Sequence, residues 1–205
     1  MEILAHRGLW SRKDEQNTPF ALTAALAAGH GIETDLRDQG DAIVVAHDAF
    51  SDGALTFDQM LQLPGMGMLA LNIKADGLAT RIARQMDADT IARSFFFDMS
   101  VPDMQPYLMR NLPVFTRVSD VEPNPAYYAA AQGLWLDAME GPWRYDDAQL
   151  EAWLADGKQL AIVSEELHGR PHQEQWRRLT QFGHRPGIYL CTDLVADAQA
   201  LLASV

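Results

Sequence analysis

The sequence predicts an α/β chain forming one domain over residues 1–205, a single (β/α)8 TIM barrel. Three observations point there. Short apolar runs alternate with helix-patterned segments from one end to the other, and eight such units can be counted. The helical segments carry start and stop residues where a βα repeat needs them. Polar residues able to do chemistry recur just where the apolar runs end, the place where barrels of this kind gather their active groups.

The first strand is expected at Glu2 to Ala5. The helix after it has Thr18 as N-cap, Pro19 at its first position and Gly29 just past its end. Ile32 to Arg37 reads as the second strand, with Ile32, Thr34 and Leu36 on one face and Glu33, Asp35 and Arg37 on the other. Leu69 to Ala75 repeats the alternation and is the third, setting Asn72 and Lys74 on one side. Later strands are expected at Ser94 to Phe97, Pro113 to Thr116, Leu134 to Asp137, Leu160 to Val163 and Ile188 to Cys191. The clearest later helices are Val101 to Arg110 behind Ser100, Asp147 to Ala155 closed by Gly157, and Leu194 to Ala203. No linker rich in Pro, Gly or Ser divides them.

Composition narrows the partners. A formal net charge of -12 and a pI near 4.7 repel nucleic acid and anionic membrane surfaces, so neither is an expected partner. No apolar stretch is long enough to span a bilayer, and the first residues, Met1 to His6, have no basic segment followed by an apolar run. Cys191 is the single cysteine, which excludes an internal disulfide framework and fits a reducing compartment. A cytoplasmic protein is expected, and its oligomeric state is left open.

Within the first 74 residues stand the groups that cleavage of a phosphodiester requires: charge neutralisation, a base and an acid. Glu33 and Asp35 are hard oxygen ligands suited to a divalent metal, Mg2+ or Ca2+, and Asn72 adds a neutral carbonyl oxygen. Lys74 and Arg7 offset the negative charge of a phosphate. His6 and His47, at the ends of different short strands, can exchange roles as acid and base. Arg117, Asp137 and Glu165 are candidate pocket residues by position alone.

In order and spacing, His6-Arg7-Gly8, Gln16-Asn17-Thr18, Glu33-Thr34-Asp35-Leu36-Arg37 and Val44-Val45-Ala46-His47-Asp48 resemble the opening of glycerophosphodiester phosphodiesterases. Lys74 and the stretch from Gly187 to Asp193 extend the resemblance over the whole chain. It implies acid–base roles for His6 and His47, phosphate binding by Arg7 and Lys74, metal binding by Glu33 and Asp35, and a small glycero-, sugar- or polyol-phosphodiester as substrate. Three departures qualify it. Asn72 stands where the family usually has a third metal-binding carboxylate, and Gln16 where it usually has glutamate. Only Ala49 to Leu71 lies where the family commonly carries an inserted cap, so an open site is expected.

Blander readings compete. Glu33 and Asp35 can be a solvated strand face, although unpaired acids on an inward strand face are costly, and Lys74 can merely neutralise them in a structural ion pair. His30, His168, His172 and His184 are read as hydrogen-bonded structural residues, and the polar segment Glu165 to His172 equally as a solvated loop or as one that contacts substrate. Phe95 to Phe97 read as barrel packing, whereas Trp10 and Trp143 are candidates for stacking on a substrate. The functional alternatives are a catalytically silent barrel that binds a phosphorylated ligand, motivated by Asn72, and a barrel enzyme acting on free sugars.

Overall fold

The computed structural model describes residues 1–49 and 53–203. Two compact units are distinguished within the chain, Ala5–Val114 and a second made of Met1–Leu4 with Phe115–Val205. The expected cap-free segment from Ala49 to Leu71 falls in the first unit, and its residues 50–52 lie outside the described residues.

In the first unit, β1 (Glu2–His6, shared with the second unit) is followed by α1 (Pro19–Ala27), β2 (Gly31–Gln39), β3 (Ala42–Val45), β4 (Leu55–Thr56) and α2 (Phe57–Leu61). Then come β5 (Leu69–Ile73), α3 (Ala79–Gln85), α4 (Ala88–Ala92), β6 (Ser94–Phe97) and α5 (Val101–Leu108). α1 starts as expected, because the Thr18 side chain accepts the Ala21 amide and Pro19 occupies the first turn. Ser100 caps α5 by accepting the Asp103 amide.

β2 does two jobs. Its first part pairs in parallel with β5, Ile32 opposite Leu69 through Leu36 opposite Ile73. Its end turns back as an antiparallel hairpin with β3, Leu36 opposite Val45 through Gln39 opposite Ala42. β5 in turn pairs in parallel with β6. The hairpin was not among the expected strands; it extends β2 two residues beyond Arg37. Ile32 through Leu36 are buried on both faces, as a covered parallel strand requires, so Glu33 and Asp35 are interior residues rather than a solvated edge. Phe95, Phe96 and Phe97 are fully buried core, with the Tyr107 ring of α5 at 5.5 Å from that of Phe96.

In the second unit, β7 (Phe115–Val118), β8 (Gly133–Leu136), α6 (Asp147–Ala155), β9 (Gln159–Val163), α7 (Gln173–Leu179), β10 (Ile188–Thr192) and α8 (Val195–Ala203) follow in chain order. Their strands pair in parallel, β7 with β8, β8 with β9 and β9 with β10. Gly133 lets the Phe115 ring lie where a Cβ would stand only 2.5 Å from it. The strand expected at Pro113 to Thr116 is displaced: Val114 makes an isolated parallel bridge to Phe96, and the regular strand runs from Phe115 to Val118.

Candidate active site

The candidate site is built in the first unit, where β1, β2 and β5 end. Asp35 sits opposite Asn72 in the β2–β5 register, and Glu33 opposite Ala70, so the two acids and the amide share one patch of the sheet. His6 closes β1 with its Nε2 3.9 Å from Glu33 Oε2, and the Trp10 indole donates to the His6 carbonyl at 3.0 Å. Trp10 thus braces the strand end through its indole N–H.

Two cations converge on one carboxylate. Arg7 Nε lies 2.9 Å from Asp35 Oδ2, and Lys74 Nζ lies 3.4 Å from Asp35 Oδ1. Arg7 is held in a left-handed conformation, φ 57°, which turns its guanidinium back over the strand end. The turn needs Gly8: at φ 92°, a Cβ there would meet the Ala21 carbonyl carbon of α1 at 2.5 Å.

Asn17, quoted above only as part of a motif, is a site residue that sequence reasoning missed. It too is left-handed, φ 59°, and its amide takes the Arg7 carbonyl at 3.0 Å. Its side chain donates to Asp35 Oδ2 at 2.9 Å and accepts from Thr34 at 2.7 Å. Gln16 accepts from Arg7 Nη1 at 3.3 Å, so the neutral amide still orients the guanidinium without cancelling its charge.

Glu33 is only 2% exposed, and Asn72 donates to its Oε1 at 3.3 Å. Burial first, and the charge of Asp35 second, push the Glu33 carboxyl up to about 7; His6, Arg7 and Lys74 oppose the rise. Three buried oxygens in this patch, Glu33 Oε2, Asp35 Oδ1 and Asn72 Oδ1, have no hydrogen-bond partner. Buried oxygens left in this way are costly unless a cation or water satisfies them. Two carboxylates and an amide oxygen suit a hard divalent cation. Among the described residues, no group of three or more His, Cys, Asp or Glu side chains is arranged to hold a metal; in this patch the third oxygen donor is the Asn72 amide.

His47 follows β3. Its backbone is fixed by the Ala46 amide on the Asp35 carbonyl at 3.0 Å and by Arg37 Nη1 on the His47 carbonyl at 2.8 Å. Its Nδ1 meets Asp48 Oδ1 at 2.7 Å, which leaves Nε2 as the ring nitrogen for proton exchange. The hydrogen bond from His47, then its charge, holds the Asp48 carboxyl below the usual range. The ring is 48% exposed and faces an open cleft of about 410 Å³, whose other walls include Arg7, Lys13, Gln16, Asn17 and Leu55.

The remaining expected residues belong to the second unit. Arg117 on β7 pairs with Glu122, and Asp137, just past β8, meets the His168 ring at 2.7 Å. Glu165 is buried and ion-paired to Arg170 at 3.0 Å. His168, read from sequence as a structural residue, therefore has a carboxylate partner. Trp143 packs edge-on against Tyr145, with ring centroids 4.8 Å apart.

No family model and no curated protein matches the chain. Solved structures do. A glycerophosphodiester phosphodiesterase from Agrobacterium tumefaciens matches with a TM-score of 0.69 at 19% identity, covering 100% of this chain and 99% of its own. One from Parabacteroides distasonis matches with a TM-score of 0.68 at 17% identity, covering 99% and 97%. At such identities the likeness shows the fold: this chain has the α/β, (β/α)8 barrel architecture expected from its sequence.

Proposed function

We propose that the chain is a glycerophosphodiester phosphodiesterase-like enzyme, one domain over residues 1–205, that hydrolyses a small glycero-, sugar- or polyol-phosphodiester with the help of a divalent metal, Mg2+ or Ca2+. The observation that carries the reading is the convergence of Arg7 and Lys74 on Asp35, in a patch with three buried oxygens that accept no hydrogen bond, and within reach of His6. The agreement between the motifs and the fold of solved enzymes with this activity supports it.

Glu33, Asp35 and Asn72 would hold the metal, which when bound supplies positive charge to a phosphoryl oxygen. Arg7 and Lys74, about one-fifth exposed each, present their remaining donors to the other phosphate oxygens. His47 exchanges a proton with the alcohol that lies in the cleft, and Asp48 keeps its Nε2 available. His6, lodged beside Glu33, serves the opposite side of the phosphorus, where water or a neighbouring substrate hydroxyl attacks. The polar walls of the cleft suit a water-soluble alcohol. Among the described residues no helix is long and apolar enough to cross a membrane. A cytoplasmic location is proposed on the single buried thiol, Cys191.

The test is hydrolysis of bis(p-nitrophenyl) phosphate and glycerophosphodiesters with Mg2+, Ca2+ or chelator, followed by 31P NMR so that a cyclic product is seen if it forms. Turnover should need the metal and fall by about 10²-fold or more in His6→Gln and His47→Gln. Binding of inorganic phosphate without turnover under any condition would replace this reading with the silent phosphate-binding barrel.

A further inference from the structure

The ends of β8 and β9 carry a second cluster of titratable side chains that the proposed chemistry does not use. Asp137, 9% exposed, follows β8, and its Oδ1 accepts both the Ala138 amide at 2.8 Å and His168 Nε2 at 2.7 Å. The Tyr145 hydroxyl bonds to the Val118 and Asp137 carbonyls at 3.0 Å each, fixing the backbone on which this carboxylate stands. His168 closes a short 3-10 turn, Glu165–His168, that ends in a left-handed Gly169.

Everything else in that turn is already satisfied. Arg170 forks onto Glu165 through Nε at 3.1 Å and Nη2 at 3.0 Å, and also bonds to the Ala138 carbonyl. Glu166 is taken up by Ser164, Thr192 and the Asp193 amide. The ring of His168 is 26% exposed, and its Nδ1 has no partner among the described residues.

We propose that Asp137 and His168 form a hydroxyl-binding site for a neutral polyol or sugar. An ionised carboxylate only accepts hydrogen bonds, so it fixes a proton on Nε2, and in the neutral ring the lone pair then lies on Nδ1. That lone pair is an acceptor on a ring whose position is set, and a hydroxyl is its complement. Charge argues for a neutral ligand: Arg170, the cation of the turn, is neutralised by Glu165, Arg144 bonds instead to the Ser119 carbonyl beside Tyr145, and the acid beneath the ring repels anions. The proposal stands apart from the phosphodiesterase reading, since none of its residues takes part in that chemistry.

Imidazole 1H–15N spectra of the whole protein, with myo-inositol as the probe, test it. His168 should carry its proton on Nε2, and its Nδ1 resonance should shift saturably with myo-inositol while His172 and His184 stay still. The shift should persist in His47→Gln, whatever that variant does to turnover, and weaken at least tenfold in Asp137→Asn. A proton on Nδ1, an unmoved resonance up to the solubility of the polyol, or equal affinity in Asp137→Asn would overturn it. Should Asp137→Asn fail to fold, calorimetry of His168→Gln decides: loss of the myo-inositol heat supports the site, and undiminished heat refutes it.

Discussion

Glu33 makes the metal-free protein sensitive to pH in a direction opposite to that of most surface carboxylates. Its carboxyl is raised from 4.5 to about 7 by burial and by Asp35. Below about pH 4.5 the group is protonated in both folded and unfolded chains and costs nothing. Between about pH 4.5 and 7 the unfolded chain gives up the proton while the folded one keeps it, so stability falls as pH rises. Above pH 7 the loss is complete, and at about 1.4 kcal/mol per pH unit it amounts to about 3 kcal/mol. Glu33→Gln replaces the acid with a side chain of the same shape that cannot ionise. Urea unfolding in chelator should therefore find the variant equal to the wild type near pH 4 and more stable by about 3 kcal/mol near pH 8. Excess Ca2+ or Mg2+ should close most of that gap at pH 8, adding about 2.7 kcal/mol to the wild type at a hundred times Kd and little to the variant. A wild type that gains on the variant from pH 4 to pH 7 without metal would show that Glu33 is ionised and well paired, and the reasoning would fail.

Asn72→Asp restores a third carboxylate: calorimetry should show divalent-cation affinity rising at least about tenfold, and thermal melting in chelator should show a lower midpoint because a third buried charge is then unpaired. Gly8→Ala forces a Cβ to within 2.5 Å of the α1 backbone, so its unfolding free energy should drop by more than about 2 kcal/mol, and an unchanged denaturation midpoint would mean the β1–α1 turn can move aside. Asn17→Ala removes the bonds to Asp35 and Thr34 and puts a Cβ-bearing residue without local side-chain bonding at φ 59°; a loss of about 1–3 kcal/mol is expected, with Asn17→Gly recovering only the backbone part.

Much of this arrangement could be read from residue order. Asp147–Ala155 and Ser94–Phe97 have the bounds expected, because a capping acid, a closing Gly157 and a short aromatic run are local signals. The βα alternation carried the fold class for the same reason. The β2–β3 hairpin was hidden: the run Ala42 to Val45 is short and uniformly apolar, and periodicity does not say whether such a run pairs in parallel or turns back. Asn17 was hidden for a different reason. Its bond to Asp35 joins residues 18 positions apart and depends on a left-handed backbone, for which no pattern in the neighbouring sequence is diagnostic. The patch of Glu33, Asp35, Asn72, Arg7 and Lys74 was legible because strand alternation and strand ends are enough to place side chains together, whereas the orientation of His47 depended on the hairpin.

That hairpin sets a counting rule for change. His47 hangs on β3, whose partner β2 is locked in the sheet by β5, and a strand shows the same side only at every second residue. One residue inserted between Ala42 and Ala46 would turn the imidazole to the opposite side of the ribbon, away from the carbonyl grip of Arg37. Two inserted residues would keep its side and merely carry it farther out. Lengthening at Gly40 and Asp41, in the turn itself, leaves the phase untouched. Viable length variants of this chain should therefore fall in the turn, or come in pairs along β3.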